Sequence, residues 1–178
     1  MLKSAHKETE RLLRRSLAQR PDNASYQLAL VVLLLNLFDF SVLIWATMQT
    51  DNSAQMGAQA AFKTCATRPM PAMTTGNCPN LTTAITTAVQ GTSLGSGVTL
   101  ASGSPGENYY CTSDATLQSV GTYSSPPNPF DCSTAGAAGV IPGDYIVVQV
   151  NYSYAPTFSG LSLASSQTLS ATAVQRVQ

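Results

Sequence analysis

The sequence runs LALVVLLLNLFDFSVLIWATM from Leu28 to Met48. At about 1.5 Å per residue, these 21 residues make a helix long enough to cross a bilayer's hydrocarbon core, which is about 30 Å thick. Asp39 lies near the middle of the run, where an ionised carboxylate costs about 2.5–3.5 kcal/mol. The thirteen Leu, Ile, Val and Phe side chains outweigh that cost at about −0.3 to −0.6 kcal/mol each. The run therefore predicts a transmembrane helix.

The positive charge of the chain is unevenly distributed, although the net charge is zero. Only Lys63, Arg68 and Arg176 follow the apolar run. The basic residues before it are Lys3, Lys7, Arg11, Arg14, Arg15 and Arg20. The positive-inside rule then predicts a single-pass protein with a cytoplasmic N-terminus, whose remaining residues face the periplasm or the exterior.

The four cysteines all follow the apolar run. An even number of cysteines in an oxidising compartment predicts two disulfides. We favour Cys65–Cys78, because it closes a short local loop, together with Cys111–Cys132, although four cysteines allow three pairings. Their spacing does not fit a metal site, and the sole histidine, His6, lies on the other side of the membrane. We therefore expect no bound metal.

A cleaved secretory signal is the competing interpretation of the N-terminus, because it also combines basic residues with an apolar run. Its apolar region is usually about 7–15 residues long. The run here is longer, a long charged segment precedes it, and Asn52-Ser53-Ala54 is a poor cleavage context. These features favour a retained membrane helix.

The chain divides into three predicted parts. Residues 1–21 form a basic cytoplasmic leader, either an amphipathic helix on the inner leaflet or a solvated segment. Pro21 ends any helix there, and Asp22, Asn23 or Ser25 would cap a transmembrane and stalk helix over residues 22–65. The stalk is predicted from a stripe of small residues with helical spacing. The stripe consists of Ala54, Ala58, Ala61 and Cys65.

Residues 66–178 form the predicted extracytoplasmic α+β domain. A short helix from Asn80 to Gln90 is expected, with Asn80 as its cap. Residues 144–155 and 166–177 alternate with period two, which predicts two antiparallel strands. Residues 91–143 are rich in Gly, Ser and Pro, which predicts loops with strands of only three or four residues. The stalk helix would cover the apolar face of this small antiparallel sheet.

These features together resemble the TadE-like family. The resemblance rests on the basic leader, the apolar helix with its Ala-rich stalk, the short helix, and the terminal strands PGDYIVVQVNYSY and TLSATAVQRVQ. It covers Pro21 to about Cys65 and Gly143–Gln178. The family comprises minor pilins, or pseudopilins, of the Tad (Flp) pilus, a branch of the type IV pilus superfamily. It implies a pilin-like fold and a structural role in initiating, capping or anchoring the filament.

The resemblance also implies location and partners. The chain would reside in the bacterial inner membrane with a periplasmic C-terminal domain, and could enter an extracellular pilus. Its partners would be other pilin-like subunits, the assembly platform and the lipid membrane, in a hetero-oligomer. No nucleic acid, cofactor or catalysis is implied.

The leader-processing region departs from the family pattern. Pilin-like proteins typically carry a glycine before the helix, with a glutamate five residues later. Asp22 occupies the glycine position here, Asn23 follows it, and Gln27 replaces the glutamate. Cleavage by a prepilin peptidase is therefore not expected, and the leader would persist as a cytoplasmic segment.

The polar residues inside the apolar run suggest a partner-binding face. Asn36, Asp39, Leu43 and Thr47, continued by Thr50, share one helical stripe. We hypothesise that this face docks against a partner helix, where the acid finds a hydrogen-bond donor. The alternative is a protonated or hydrated acid that a long apolar segment tolerates.

Other functions are less well supported by the sequence. Gly91–Gly95 matches the G-x-S-x-G pattern of hydrolases, but a predicted helix precedes it and no histidine is available to activate Ser93. The first rival to a pilin-like subunit is an adhesion module that displays the Ser/Thr/Gly-rich middle of the chain. The second is a secreted enzyme accessory released by signal cleavage.

Overall fold

The computed structural model describes residues 20–69, 71–74, 76–113 and 116–177. Residues 1–19 of the predicted leader lie outside the described residues. The chain separates into two compact units. We call the helix as far as Leu43 together with Ala155–Ser165 the anchor unit, and Ile44–Tyr154 together with the residues from Ser166 onward the sheet unit.

The long helix α1 spans Arg20–Cys65 without interruption. It begins two residues before the predicted start, so Pro21 lies in its first turn instead of breaking it. Proline is tolerated there because the first backbone N–H groups of a helix have no partner within the helix. The predicted caps Asp22, Asn23 and Ser25 are consequently helical residues. Within the described residues, α1 alone is long and apolar enough to cross a membrane, over the stretch Ala24–Cys65.

A five-stranded antiparallel sheet forms the centre of the sheet unit. Its strands are β1 (Val98–Leu100), β2 (Gly106–Ser113), β3 (Thr116–Thr122), β4 (Gly143–Tyr154) and β5 (Gln167–Arg176). One edge of β4 pairs with β5 along its length, and the other edge is shared by β2 and β1. Strand β3 pairs with the outer side of β2. The long helix and the antiparallel sheet give the expected α+β class.

Strands β4 and β5 match the two predicted alternating runs. Ile146, Val148 and Val150 are fully buried on one face of β4, as the period-two pattern requires. Strands β2 and β3 are much longer than expected for the Gly- and Ser-rich middle of the chain. Pairing with β4 stabilises β2, although its composition favours loops, because strand formation depends strongly on neighbouring strands.

The predicted stripe of small residues is buried against the sheet unit's other elements. Ala54, Ala58, Ala61 and Cys65 pack in one core with the apolar face of the sheet. The core also includes the second helix, α2 (Leu81–Gln90), through Leu81, Ile85 and Val89. Asn80 precedes α2 as expected, but its backbone is left-handed (φ 67°) and its side chain makes no capping hydrogen bond. The predicted side-chain cap is therefore wrong.

Two disulfides fasten the loops of the sheet unit. Cys65 is bonded to Cys78, and Cys111 to Cys132, which is the pairing that the sequence favoured. The first bond joins the end of α1 to the loop before α2. The second joins β2 to the loop before β4. Both constrain segments with little regular structure, and a disulfide typically stabilises a domain by about 2–4 kcal/mol.

Gly57 allows α1 to approach α2 and β4 closely. A Cβ atom on this residue would lie 2.8 Å from Val89 Cγ2 and 3.0 Å from Val148 Cγ1. Both contacts are shorter than normal van der Waals separations, so any larger residue must displace the core.

We expect Gly57→Ala to lower the free energy of unfolding by about 1–3 kcal/mol. The crowding should outweigh the gain of about 1 kcal/mol that alanine normally brings to a helix. Urea denaturation of the full chain in detergent micelles would measure the change. Gln59→Ala, on the exposed side of α1, is the matched control and should be nearly neutral. Equal stability of the two variants would contradict the close-approach role of Gly57.

Candidate functional site

Two buried polar clusters stand out, one in each unit. The first surrounds Asn36 and Asp39 in the anchor unit, whose side chains are 8% and 0% exposed. They are covered by the segment Ala155–Ser165, which we call the β4–β5 loop. The backbone N–H of Thr157 donates to Asp39 Oδ1 at 3.0 Å, and that of Phe158 lies 3.4 Å from Asp39 Oδ2.

Asn36 binds the same loop through both ends of its amide group. Its Nδ2 donates to the carbonyl of Leu161 at 3.0 Å, and its Oδ1 accepts from the N–H of Leu163 at 2.6 Å. The same Nδ2 also donates to the carbonyl of Val32, one turn earlier in the helix, at 2.8 Å. Phe38 and Phe158 add an edge-to-face ring contact at 6.0 Å. The polar pair thus fixes the loop against the apolar helix.

The chain's own loop contacts part of the expected partner-binding face. The backbone N–H groups of Thr157 and Phe158 approach Asp39, and the loop also binds Asn36. The remaining members of the stripe lie in other surroundings. Leu43 is half-buried and Thr47 is exposed, whereas Thr50 is buried and donates to the carbonyl of Ala46. The stripe is therefore not one continuous docking face.

The loop–helix contact was not anticipated from the sequence, although signals for it exist. Asn36 and Asp39 are three residues apart, so they lie on the same side of a helix. The β4–β5 loop is uncharged throughout its eleven residues and contains Phe158, Leu161 and Leu163. An uncharged loop with three large apolar side chains is a candidate for contact with an apolar helix, but its partner atoms can be identified only in three dimensions.

The second cluster is a pair of carboxyl groups in the sheet unit, Glu107 on β2 and Asp144 on β4. Both are buried. Their strands pair so that Glu107 is opposite Ile146 and Asp144 is opposite Tyr109, which makes the two acids diagonal neighbours. Glu107 accepts the backbone N–H groups of Ala72 and Met73 at 2.7 and 2.8 Å. It therefore holds the loop that follows α1.

The neighbourhood of Asp144 favours its protonated form. Burial first, and then a hydrogen bond with Glu107 and the negative charge of that residue, raise the pKa of Asp144 to about 7. Its buried Oδ1 has no hydrogen-bond partner in the structure. A proton on the Asp144 carboxyl group lowers the cost of leaving this oxygen buried. Burial and the charges of the two acids also raise the pKa of Tyr109.

A cleft of about 390 Å³ opens beside Asp144. Its lining combines apolar and aromatic side chains with one acid and one base. The residues that line it are Pro71, Tyr109, Phe130, Ile141, Pro142, Asp144 and Arg176. Tyr109 and Phe130 meet edge to face at 5.1 Å, which narrows the cleft. Glu107 fixes the backbone of residues 72–73, and the cleft opens beside the neighbouring Asp144.

The acid pair was missed at the level of sequence, although a weak pattern points to it. Glu107 is the sole glutamate after residue 10, and it lies in the alternating segment ENYYC. Asp144 begins the strongest alternating run of the chain, on the same face as Ile146. Inward-facing acids in two strands can meet only if those strands pair. The sequence predicted at most a strand of three or four residues here, such as Tyr109–Cys111, which does not reach Glu107.

The G-x-S-x-G segment lies in a different context from a hydrolase elbow. Helix α2 precedes it, and the Ser93 hydroxyl donates to the side-chain carbonyl of Gln49 at 2.7 Å. Across the described residues, no three His, Cys, Asp or Glu side chains are grouped so that they could hold a metal ion. Comparisons with protein-family models, curated proteins and solved structures give no match for this chain.

We expect Asp39→Leu to release the β4–β5 loop from α1. The substitution removes the acceptor for the N–H groups of Thr157 and Phe158, and each lost buried hydrogen bond costs about 1–3 kcal/mol. Hydrogen exchange at these two amides in the full-length, micelle-embedded protein should accelerate about 10- to 100-fold. The control is Ser41→Ala, because the Ser41 hydroxyl bonds only within its own helix, to the Leu37 carbonyl. Unchanged protection in Asp39→Leu would contradict the contact.

We expect the carboxyl pair to make the protein less stable as the pH rises. The pKa of Asp144 is about 7 in the folded state and near 3.8 in the unfolded state. The folded state therefore holds a proton that the unfolded chain has lost, and stability falls between about pH 4 and pH 7. Asp144→Asn removes this dependence, because its amide can donate to Glu107 at any pH. At pH 8 the variant should be more stable than the wild type by on the order of 2 kcal/mol. This value is smaller than the pKa shift of Asp144 alone would imply, because the site borders an open cleft.

Denaturant titrations of the full chain at several pH values would measure the effect. Asp131→Asn is the control, because the pKa of the exposed Asp131 is lowered by its hydrogen bonds with Ser133 and Gly139. That variant should keep the wild-type decline in stability between pH 5 and 8. A decline that persists in Asp144→Asn would show that another group causes it.

Proposed function

We propose that this chain is a membrane-anchored structural subunit of the TadE-like type, a minor pilin of a Tad (Flp) pilus. The observation that carries the proposal is the single helix Arg20–Cys65. Its first half exposes large apolar side chains, whereas its second half presents small residues to an antiparallel sheet. One continuous helix thus serves both as a membrane segment and as part of the core of a folded domain.

The surface of the anchor unit supports helix association in the membrane. Away from Asn36 and Asp39, α1 exposes large aliphatic side chains, including Leu30 and Leu34. These two residues are one turn apart and form a ridge on which another helix can pack. In this proposal the ridge binds other pilin-like subunits or the assembly platform, in a hetero-oligomer of the bacterial inner membrane. The N-terminus is cytoplasmic and the sheet unit is periplasmic or part of the pilus.

The sheet unit supports a structural role instead of a catalytic one. Its buried acids hold loop backbone, its cysteines form disulfides, and Ser93 lacks the strand–turn–helix setting of a hydrolase nucleophile. We therefore propose neither a cofactor nor an enzymatic activity.

Adhesion by the same pilus component is a second candidate, and the exposure of β3 favours it. This strand lies at the edge of the sheet, and Leu117 on it is largely exposed. One test of adhesion would be to delete Ser102–Pro129, within the Ser/Thr/Gly-rich middle of the chain. That deletion would also remove β2, Glu107 and Cys111 from the fold, so it cannot separate adhesion from assembly. Leu117→Ser is the sharper test, because loss of surface binding with normal piliation would assign adhesion to this edge.

We expect the double substitution Leu30→Ala and Leu34→Ala to weaken co-purification with other pilin-like subunits about tenfold and to reduce piliation. Truncating the ridge removes van der Waals contacts between helices without affecting the sheet unit's core. The measurement is pull-down of the full-length tagged chain from its own bacterium, with pili counted by electron microscopy. Leu117→Ala, which truncates an exposed leucine of the sheet unit, is the matched control. Normal piliation in cells that lack the chain altogether would refute the proposed function.

A further inference from the structure

The β4–β5 loop exposes apolar side chains although it is an irregular segment. Leu161 is 55% exposed and Leu163 is 82% exposed. No charged residue occurs between Ala155 and Ser165. Loops that face water are usually polar, so this composition requires another environment.

Several polar backbone groups of the loop are hydrogen-bonded within the chain, as a low-dielectric environment requires. Irregular backbone at membrane depth is tolerated only when its polar groups are bonded to protein. Asn36 and Asp39 bind four backbone groups of the loop. In addition, Phe158 accepts the N–H groups of Leu161 and Ser162 at 3.0 and 3.1 Å. Backbone groups at the centre of the loop therefore already have the hydrogen-bond partners that they would need in lipid.

The length of α1 gives the depth of this contact. The candidate membrane span begins at Ala24. Measured from there at 1.5 Å per residue, Asn36 lies about 18 Å and Asp39 about 22 Å along the axis. A hydrocarbon core of about 30 Å would then end near Ile44. The polar pair therefore lies within the hydrocarbon, in the half that is farther from the N-terminus.

Two apolar grooves flank the loop where it meets the helix. One, of about 730 Å³, lies between Leu163 and helix residues that include Leu33 and Phe40. The other, of about 450 Å³, lies between Leu161 and residues that include Val31 and Leu35. Val32 lines both grooves and lies about 12 Å along the axis from Ala24. The two leucines therefore reach deeper into the hydrocarbon than Asp39 does.

We propose that the β4–β5 loop is a second membrane anchor. Leu161 and Leu163 insert among lipid acyl chains in the hydrocarbon core, and those chains occupy the two grooves. This inference rests on the membrane-spanning part of the proposed function and is independent of the pilus assignment.

Tryptophan fluorescence of the full chain in phosphatidylcholine–phosphatidylglycerol vesicles tests the proposal. Trp45 is the sole tryptophan, so Trp45→Phe gives a silent background. In that background Leu163→Trp reports on the loop, Leu33→Trp on the spanning helix, and Ile141→Trp on the sheet unit. All three original residues are largely exposed in the structure. Quenching by lipids brominated at shallow or deep chain positions is compared with quenching by aqueous iodide.

We expect Leu163→Trp to be quenched several-fold more by bromolipid than by iodide, with blue-shifted emission. Leu33→Trp, which lines the same groove, should also be quenched by bromolipid, and Ile141→Trp by iodide alone. If Leu163→Trp behaves like Ile141→Trp while Leu33→Trp is lipid-quenched, the loop anchor is refuted and the spanning helix stands. If Leu163→Trp is shielded from both quenchers, protein covers the loop and the lipid proposal is refuted. If Leu33→Trp also escapes lipid quenching, the membrane-spanning part of the proposed function fails.

Discussion

Backbone N–H groups in the loops of this protein find acceptors on acidic and amide side chains that project from helix and strand. Asp39 and Asn36 hold the β4–β5 loop in the anchor unit. Glu107 holds the loop after α1, and Asp131 accepts the N–H groups of Ser133 and Gly139. Buried backbone groups must be paired, so long irregular segments are stable only where such acceptors exist. Asp39, Glu107 and Asp131 serve that purpose in this chain.

The contact between α1 and the sheet depends on the small size of the α1 residues at that contact. Ala54, Ala58 and Ala61 are buried, and Gly57 lies so close to α2 and β4 that a Cβ atom would collide with them. Small residues let the helix axis approach the sheet and bury the apolar face of β4. The same helix changes its surface to exposed large aliphatic residues in the anchor unit. That change from small to large residues is the physical basis for proposing one membrane segment and one folded domain.

The position of Asp39 changes how the membrane segment is interpreted. Counted within Leu28–Met48, the acid lies at the middle of the span, where it needs a special partner. Counted from Ala24, where the candidate span begins, it lies about 22 Å along the axis and is bonded to the backbone of its own chain. Hydrogen bonds lower the cost of burying an acid in the hydrocarbon. In this structure the β4–β5 loop supplies those hydrogen bonds.

The sequence by itself determined the apolar helix, the small-residue stripe, the two terminal strands and the order of these elements, because each depends on local periodicity. The favoured cysteine pairing rested on a similarly local argument about loop length. Tertiary structure alone decided that β2 joins β4, that Glu107 meets Asp144, and that the β4–β5 loop returns to Asn36 and Asp39. These contacts join residues 33 to 127 positions apart. No periodicity encodes such distances, because they depend on how strands pair and on which buried groups then lack hydrogen-bond partners.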